Sequence, residues 1–285
     1  MFIHQIALVC QSKKIKMSEL TKASAALQKQ ATKDLTPIWE IKATVDVFEN
    51  IKDIPLGYWP LIIMDKIDDP DAAGYHDDKN HQPYALVEYS KSWSLTCSHE
   101  MCEMLVDPYG NKMKSGLSPN GQERVHYLVE VCDPCEDSKY AYFINGFLVS
   151  DFYTPDYFDG PGSDNTKYSF TGAIKQPRQV LKNGYLSWYS PKDKQWHQET
   201  FFGTKPTTRV LKEMESMEGS LRSRVDRLTR FEDLQKGIKD KTLLSKQQAQ
   251  SKISQNAGNE MRDHWEQEIA LLMKPKSLRR KIKSK

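Results

Sequence analysis

The sequence predicts an α+β fold followed by a helical, basic extension, and three observations carry that expectation. Short apolar or alternating runs, punctuated by Pro, Gly, Asn and Asp, recur through residues 1–204 and read as strands. Two stretches in the same region space their apolar residues as helices do. Past residue 204 the chain changes character. Only Phe231 and Trp265 of its 29 aromatics lie there, and Lys+Arg outnumber Asp+Glu by 20 to 11, against 21 to 27 before that point. An acidic, aromatic front and a basic, aromatic-poor back imply a domain over 1–204 and an extension over 205–285 with a partly disordered end.

The elements follow in order. Residues 2–10 read as a buried strand. Ser18 is the expected N-cap of a helix running to about Lys33, with Leu20, Ala23, Leu27 and Ala31 on one face. An alternating strand spans 41–48, and 58–67 is a central strand. A turn-rich loop over 68–80 leads to a strand at 84–89. A helix from Trp93 to about Asp107 is stopped by Pro108 and Gly110. This order suggests a helix packed on a mainly antiparallel sheet. A strand at 127–132, a hairpin around Asn145-Gly146 and short aromatic segments over 168–202 complete the front. In the extension, Val210, Met214, Met217, Leu221, Val225, Leu228 and Phe231 recur every three or four residues. They predict an amphipathic helix able to self-associate.

Composition excludes some classes. There is no apolar run of about 18 residues, so no membrane span is expected. The N-terminus lacks a basic n-region and reads as a strand, not a signal peptide. Five cysteines, with Cys132 and Cys135 as a lone C-x-x-C, suggest reduced thiols and a cytoplasmic protein. The terminal KPKSLRRKIKSK is either a solvated tail or an electrostatic contact to nucleic acid or another acidic surface.

The chemistry sits in the helix at 93–107. Its His99-Glu100-Met101-Cys102-Glu103 places His99 and Glu103 four residues apart, one above the other on one face. The pair can grip one metal ion, with Glu100 beside it to poise a water. Zinc in catalytic sites takes three protein ligands. Asp107 continues the ladder, but eight residues at about 1.5 Å rise span about 12 Å, too far for one ion. It reads as an orienting carboxylate. Glu130 is the preferred third ligand and Asp133 the next. One imidazole and two carboxylates suit Zn2+, and also Mn2+ or Fe2+. The competing reading of H-E-x-x-E is a polar helix with no ion. His76 and His81 read as solvent-facing loop residues, with the alternative that a loop beside the cleft places one of them near the metal; His126 reads as packing, and Cys97 and Cys102 as helix-core thiols.

From His99 to Asp107 the sequence resembles the zincin-type metallopeptidases. The wider pattern of Ser98-His99-Glu100, Glu103 and Asp107-Pro108, then Val129 to Asp133, then Ile144-Asn145-Gly146, extends the resemblance over roughly residues 2–160. It implies a zincin-like mixed sheet presenting the metal helix, a cleft beside an edge strand, and Glu130 in the place of the third glutamate ligand of the gluzincin branch. Zincins usually carry histidine where this chain has Glu103. The expected function is a metal-dependent hydrolase, a peptidase with Glu100 as base and a peptide or protein as substrate. The alternative is a non-catalytic zincin scaffold whose helical basic tail mediates assembly or binds an acidic partner.

Overall fold

A computed structural model describes residues 2–68, 72–163 and 165–229, together with the helical positions 263, 264, 267 and 270. The end of the amphipathic stripe at Phe231 and the terminal basic run lie outside the described residues.

The chain is a mixed α+β protein built on two five-stranded sheets. The first has strand order β2 (Lys42–Phe48), β1 (Ile3–Cys10), β3 (Tyr58–Met64), β5 (Gln82–Glu88) and β4 (Gly74–Lys79). Its pairings are parallel except for β4, which runs antiparallel at the edge. The expected mainly antiparallel sheet is therefore wrong here. Parallel neighbours need a long crossover, and between β1 and β2 that crossover is α1 (Met17–Lys29), its π-helical continuation over Gln30–Leu35, and the short α2 (Thr36–Trp39). Buried on both faces, β1 carries Ile6, Ala7, Leu8 and Val9 as an unbroken apolar run. Helix α1 begins after Lys16, without a side-chain cap, so Ser18 lies inside the first turn and is not the N-cap.

Helix α3 (Trp93–Val106) lies against β3, β4 and β5, and the β8 (Tyr142–Ile144) and β9 (Phe147–Val149) hairpin lies against α1 and α3. The turn joining that hairpin is Asn145-Gly146, both at positive φ, as the sequence predicts. Buried on nearly all sides, α3 must pair each of its polar groups internally. On one side Ser98 does so, donating to Gln30 Oε1 at 2.8 Å and accepting from the Ser150 N–H at 2.8 Å.

The second sheet is antiparallel, in the order β12 (Thr207–Val210), β11 (Gln195–Thr200), β10 (Tyr185–Ser190), β7 (Arg124–Leu128) and β6 (Met113–Leu117). Residues beyond 204 thus begin with a strand. The long helix expected from Val210 becomes β12, a 3-10 turn at Met214–Ser216, and an eight-residue α4 (Leu221–Leu228). Ser220 caps α4 by accepting from the Ser223 N–H at 3.2 Å. Of the stripe, Met214 and Val225 are buried and Leu221 and Leu228 pack beside them, in a core with Leu128, Tyr185, Trp196 and Leu211. The periodicity simply crosses three kinds of element. No helix among the described residues is long and apolar enough to cross a membrane.

Candidate metal centre

Helix α3 turns His99, Glu100 and Glu103 toward the segment that leaves β7. His99 Nε2 lies 3.2 Å from Glu103 Oε2 and 3.4 Å from Asp133 Oδ1. Glu103, fully buried, uses its other oxygen to accept the Cys132 N–H at 3.1 Å. That bond ties the helix to the 3-10 turn Asp133–Cys135, which aims Asp133 at His99. Gly184 makes the turn's position attainable, since a Cβ there would lie 2.6 Å from the Asp133 carbonyl oxygen.

Glu130, expected as the third ligand, is buried and its Oε2 is held by Arg222 Nε at 3.1 Å. Its Oε1 has no hydrogen-bond partner among the described residues. Asp107 closes α3 and does not enter the cluster through its carboxylate. Its Oδ2 accepts the Lys112 N–H at 2.7 Å, and its carbonyl oxygen lies 3.1 Å from His76 Nε2. Cys132 and Cys135 are free thiols.

Two more residues enter the centre. His76, expected in a solvent-facing loop or, from a loop beside the cleft, near the metal, is 1 % exposed and sits on strand β4. Its Nδ1 faces Glu100 Oε2 at 3.6 Å and Glu103 Oε2 at 3.8 Å. The signal for β4 was the Asn80-His81 turn: both residues have positive φ and join β4 to β5 as a two-residue hairpin loop. Arg222 arrives from α4. Its Nη2 lies 3.1 Å from Glu100 and 3.4 Å from Glu103, and its Nη1 donates to Asp226 at 3.0 Å and to the His76 carbonyl at 2.9 Å. Its own N–H donates to the Gly110 carbonyl at 2.9 Å. Gly110, at φ +59°, leaves room for this approach, because a Cβ there would meet Arg222 Cβ at 3.0 Å. Nothing local marks Arg222 in the sequence beyond its i, i+4 spacing to Asp226.

The electrostatics are lopsided. The carboxylates of Glu100, Glu103, Glu130, Asp133 and Asp226 converge on one guanidinium and two imidazole rings, all largely buried. Burial opposes charge on His99, but Glu103 and Asp133 outweigh it and hold the ring well above its usual pKa. Burial likewise works against Glu103, yet His99, Arg222 and His76 win and hold it low. The remaining acids lose that competition. Burial, then the Glu103 charge, pushes Glu130 well up despite Arg222. The same two causes raise Asp133 to about 8. Burial, only partly offset by Arg222, raises Asp226 to about 6. The centre holds more buried acid than its own cations neutralise.

Among the described residues, three groups of side chains place one possible ligand atom each within 4.8 Å of the others, and Glu103 belongs to all three: His99–Glu103–Cys132, His76–Glu100–Glu103 and Glu103–Glu130–Asp133. Compared with known proteins, the chain matches no family model, no curated protein and no solved structure.

Proposed function

We propose that the chain is a metal-dependent hydrolase, a zincin-like peptidase in which His99, Glu103 and Asp133 hold the ion and Glu100 is the base. One observation carries this reading: His99 Nε2 lies 3.2 Å from Glu103 and 3.4 Å from Asp133, close to the about 3.3 Å between neighbouring ligands on a tetrahedral ion with bonds of about 2.0–2.1 Å, and Glu103 and Asp133 fall together, with Glu130, in one of the three groups above. Burial and the Glu103 charge push Glu130 and Asp133 toward their neutral forms, and a divalent cation would favour their charged forms instead. Asp133 takes the place expected for Glu130, whose carboxylate is engaged by Arg222. The donor set suits Zn2+, and Mn2+ or Fe2+ as well.

When bound, the ion supplies Lewis acidity toward a scissile carbonyl and toward water. The rest falls to the chain. Glu103 is oriented by the Cys132 N–H, and Asp133 by its turn. Glu100, adjacent to His99 on α3, takes a proton from the attacking water and returns it to the leaving amine. Edge strand β4, which carries His76, borders the centre and suits an extended peptide substrate. The basic terminal run, outside the described residues, is assigned to an acidic surface or nucleic acid.

A second reading has its own support. Arg222 pairs with Glu100 and is itself 4 % exposed, so α4 closes over the base. On that reading the chain keeps a metal scaffold without catalysis. One experiment separates the two: hydrolysis of an unfolded protein substrate by zinc-loaded wild type and Glu100→Gln. The hydrolase reading expects unchanged metal content and loss of turnover in Glu100→Gln. Equal turnover in both, or none in either, goes against it.

A further inference from the structure

His76 has the environment of a metal ligand without having been assigned one. The Asp107 carbonyl can only accept, so the 3.1 Å contact requires His76 Nε2 to carry a hydrogen. Metal-binding histidines are commonly fixed in this way, through the ring nitrogen that does not bind the ion. The other nitrogen, Nδ1, is fully buried and has no hydrogen-bond partner among the described residues. It faces Oε2 of Glu100 and of Glu103 at 3.6 and 3.8 Å. Acceptor faces acceptor there unless a proton or a metal ion lies between them. Glu130 Oε1, also buried and without a partner, belongs to the same centre.

The guanidinium of Arg222 reaches Glu100, Glu103 and Glu130. It does not bond to His76 Nδ1. A guanidinium donates hydrogens and cannot satisfy a ring nitrogen that needs a cation to coordinate and carboxylates that need more charge than it brings.

We propose that His76, Glu100 and Glu103 form a second divalent-cation position, next to the one assigned to His99, Glu103 and Asp133, and that Arg222 is the internal cation that competes for it. The two positions share Glu103, so the proposal rests on the metal-centre reading at that residue. Filling the second position draws Glu100 into coordination and removes the base, so Arg222 guards the single-ion state.

The test is the zinc content of the full-length protein after equilibration with excess Zn2+ and removal of loosely held ion. Arg222→Gln is expected to hold one more equivalent than wild type. A double variant carrying Arg222→Gln and His76→Ala is expected to lose that equivalent. The result is an increment over wild type. A wild type that binds no zinc therefore counts against the first position, whereas a missing increment counts against the second. Removing Arg222 leaves buried carboxylates unmatched, so Arg222→Gln should melt below wild type without metal and regain most of that loss with Zn2+. The proposal is overturned if folded Arg222→Gln takes up no more zinc than wild type. It is equally overturned if the variant stays unfolded at saturating Zn2+, or if the double variant keeps the extra equivalent.

Discussion

Replacing Asp133 by Asn should make the metal-free protein more stable while abolishing its stabilisation by zinc. Asp133 is 3 % exposed, and burial together with the Glu103 charge raises its pKa from 3.8 to about 8. In the unfolded chain the same carboxyl ionises near its ordinary value. A raised carboxyl pKa contributes stability that is full below about pH 4 and lost as pH climbs through about 8. Each pKa unit corresponds to about 1.4 kcal/mol, so by pH 7 the loss reaches about 4 kcal/mol as an upper bound. Asn carries no charge to bury and keeps a carbonyl oxygen to accept from His99. Urea unfolding of chelator-treated wild type and Asp133→Asn at pH 5, 6 and 7 reads the difference directly. The variant's advantage should grow by up to about 1.4 kcal/mol per pH unit. With Zn2+ at about 100 times its dissociation constant, wild type should gain about 2.7 kcal/mol and the variant almost nothing. A pH-independent difference, or an equal gain from zinc in both proteins, refutes the reasoning.

Other perturbations separate the parts. Gly110→Ala adds a Cβ at φ +59° against Ser220 Oγ and Arg222 Cβ, at 2.8 and 3.0 Å, and should lower stability by about 1–3 kcal/mol in chemical unfolding. Ser98→Ala leaves Gln30 Oε1 and the Ser150 N–H without their buried partner, and should cost about 1–3 kcal/mol by the same measurement. Cys132→Ala should keep its zinc, because the contact that matters is the Cys132 backbone N–H to Glu103. Loss of zinc in that variant, measured by elemental analysis, would make the thiol a ligand.

The local part of the centre was legible in the sequence and the distant part was not. His99 and Glu103 meet through helical spacing alone, which needs no knowledge of the rest of the fold. The hairpin at Asn145-Gly146 is equally local. That Glu130 is engaged by Arg222 while Asp133 faces His99 is not readable locally, because Arg222 comes from far along the chain. His76 was hidden by its strand. Gly74–Lys79 is polar because β4 is an edge strand, and polarity was read as loop. The parallel pairing of β1, β2 and β3 depends on crossovers and not on any residue pattern within the strands. The stripe from Val210 to Leu228 shows the opposite failure: helical spacing points to one helix, where the chain uses a strand, a 3-10 turn and a short helix and buries only Met214 and Val225 of the stripe.

The claim that His99, Glu103 and Asp133 are metal ligands is tested most directly by a crystal structure of the zinc-loaded protein, with anomalous scattering recorded on both sides of the zinc edge. A zinc peak is expected about 2 Å from His99 Nε2 and from a carboxylate oxygen of each of Glu103 and Asp133. Anomalous density bonded to other residues, or bound zinc with His99 still paired only to its two carboxylates, would contradict it.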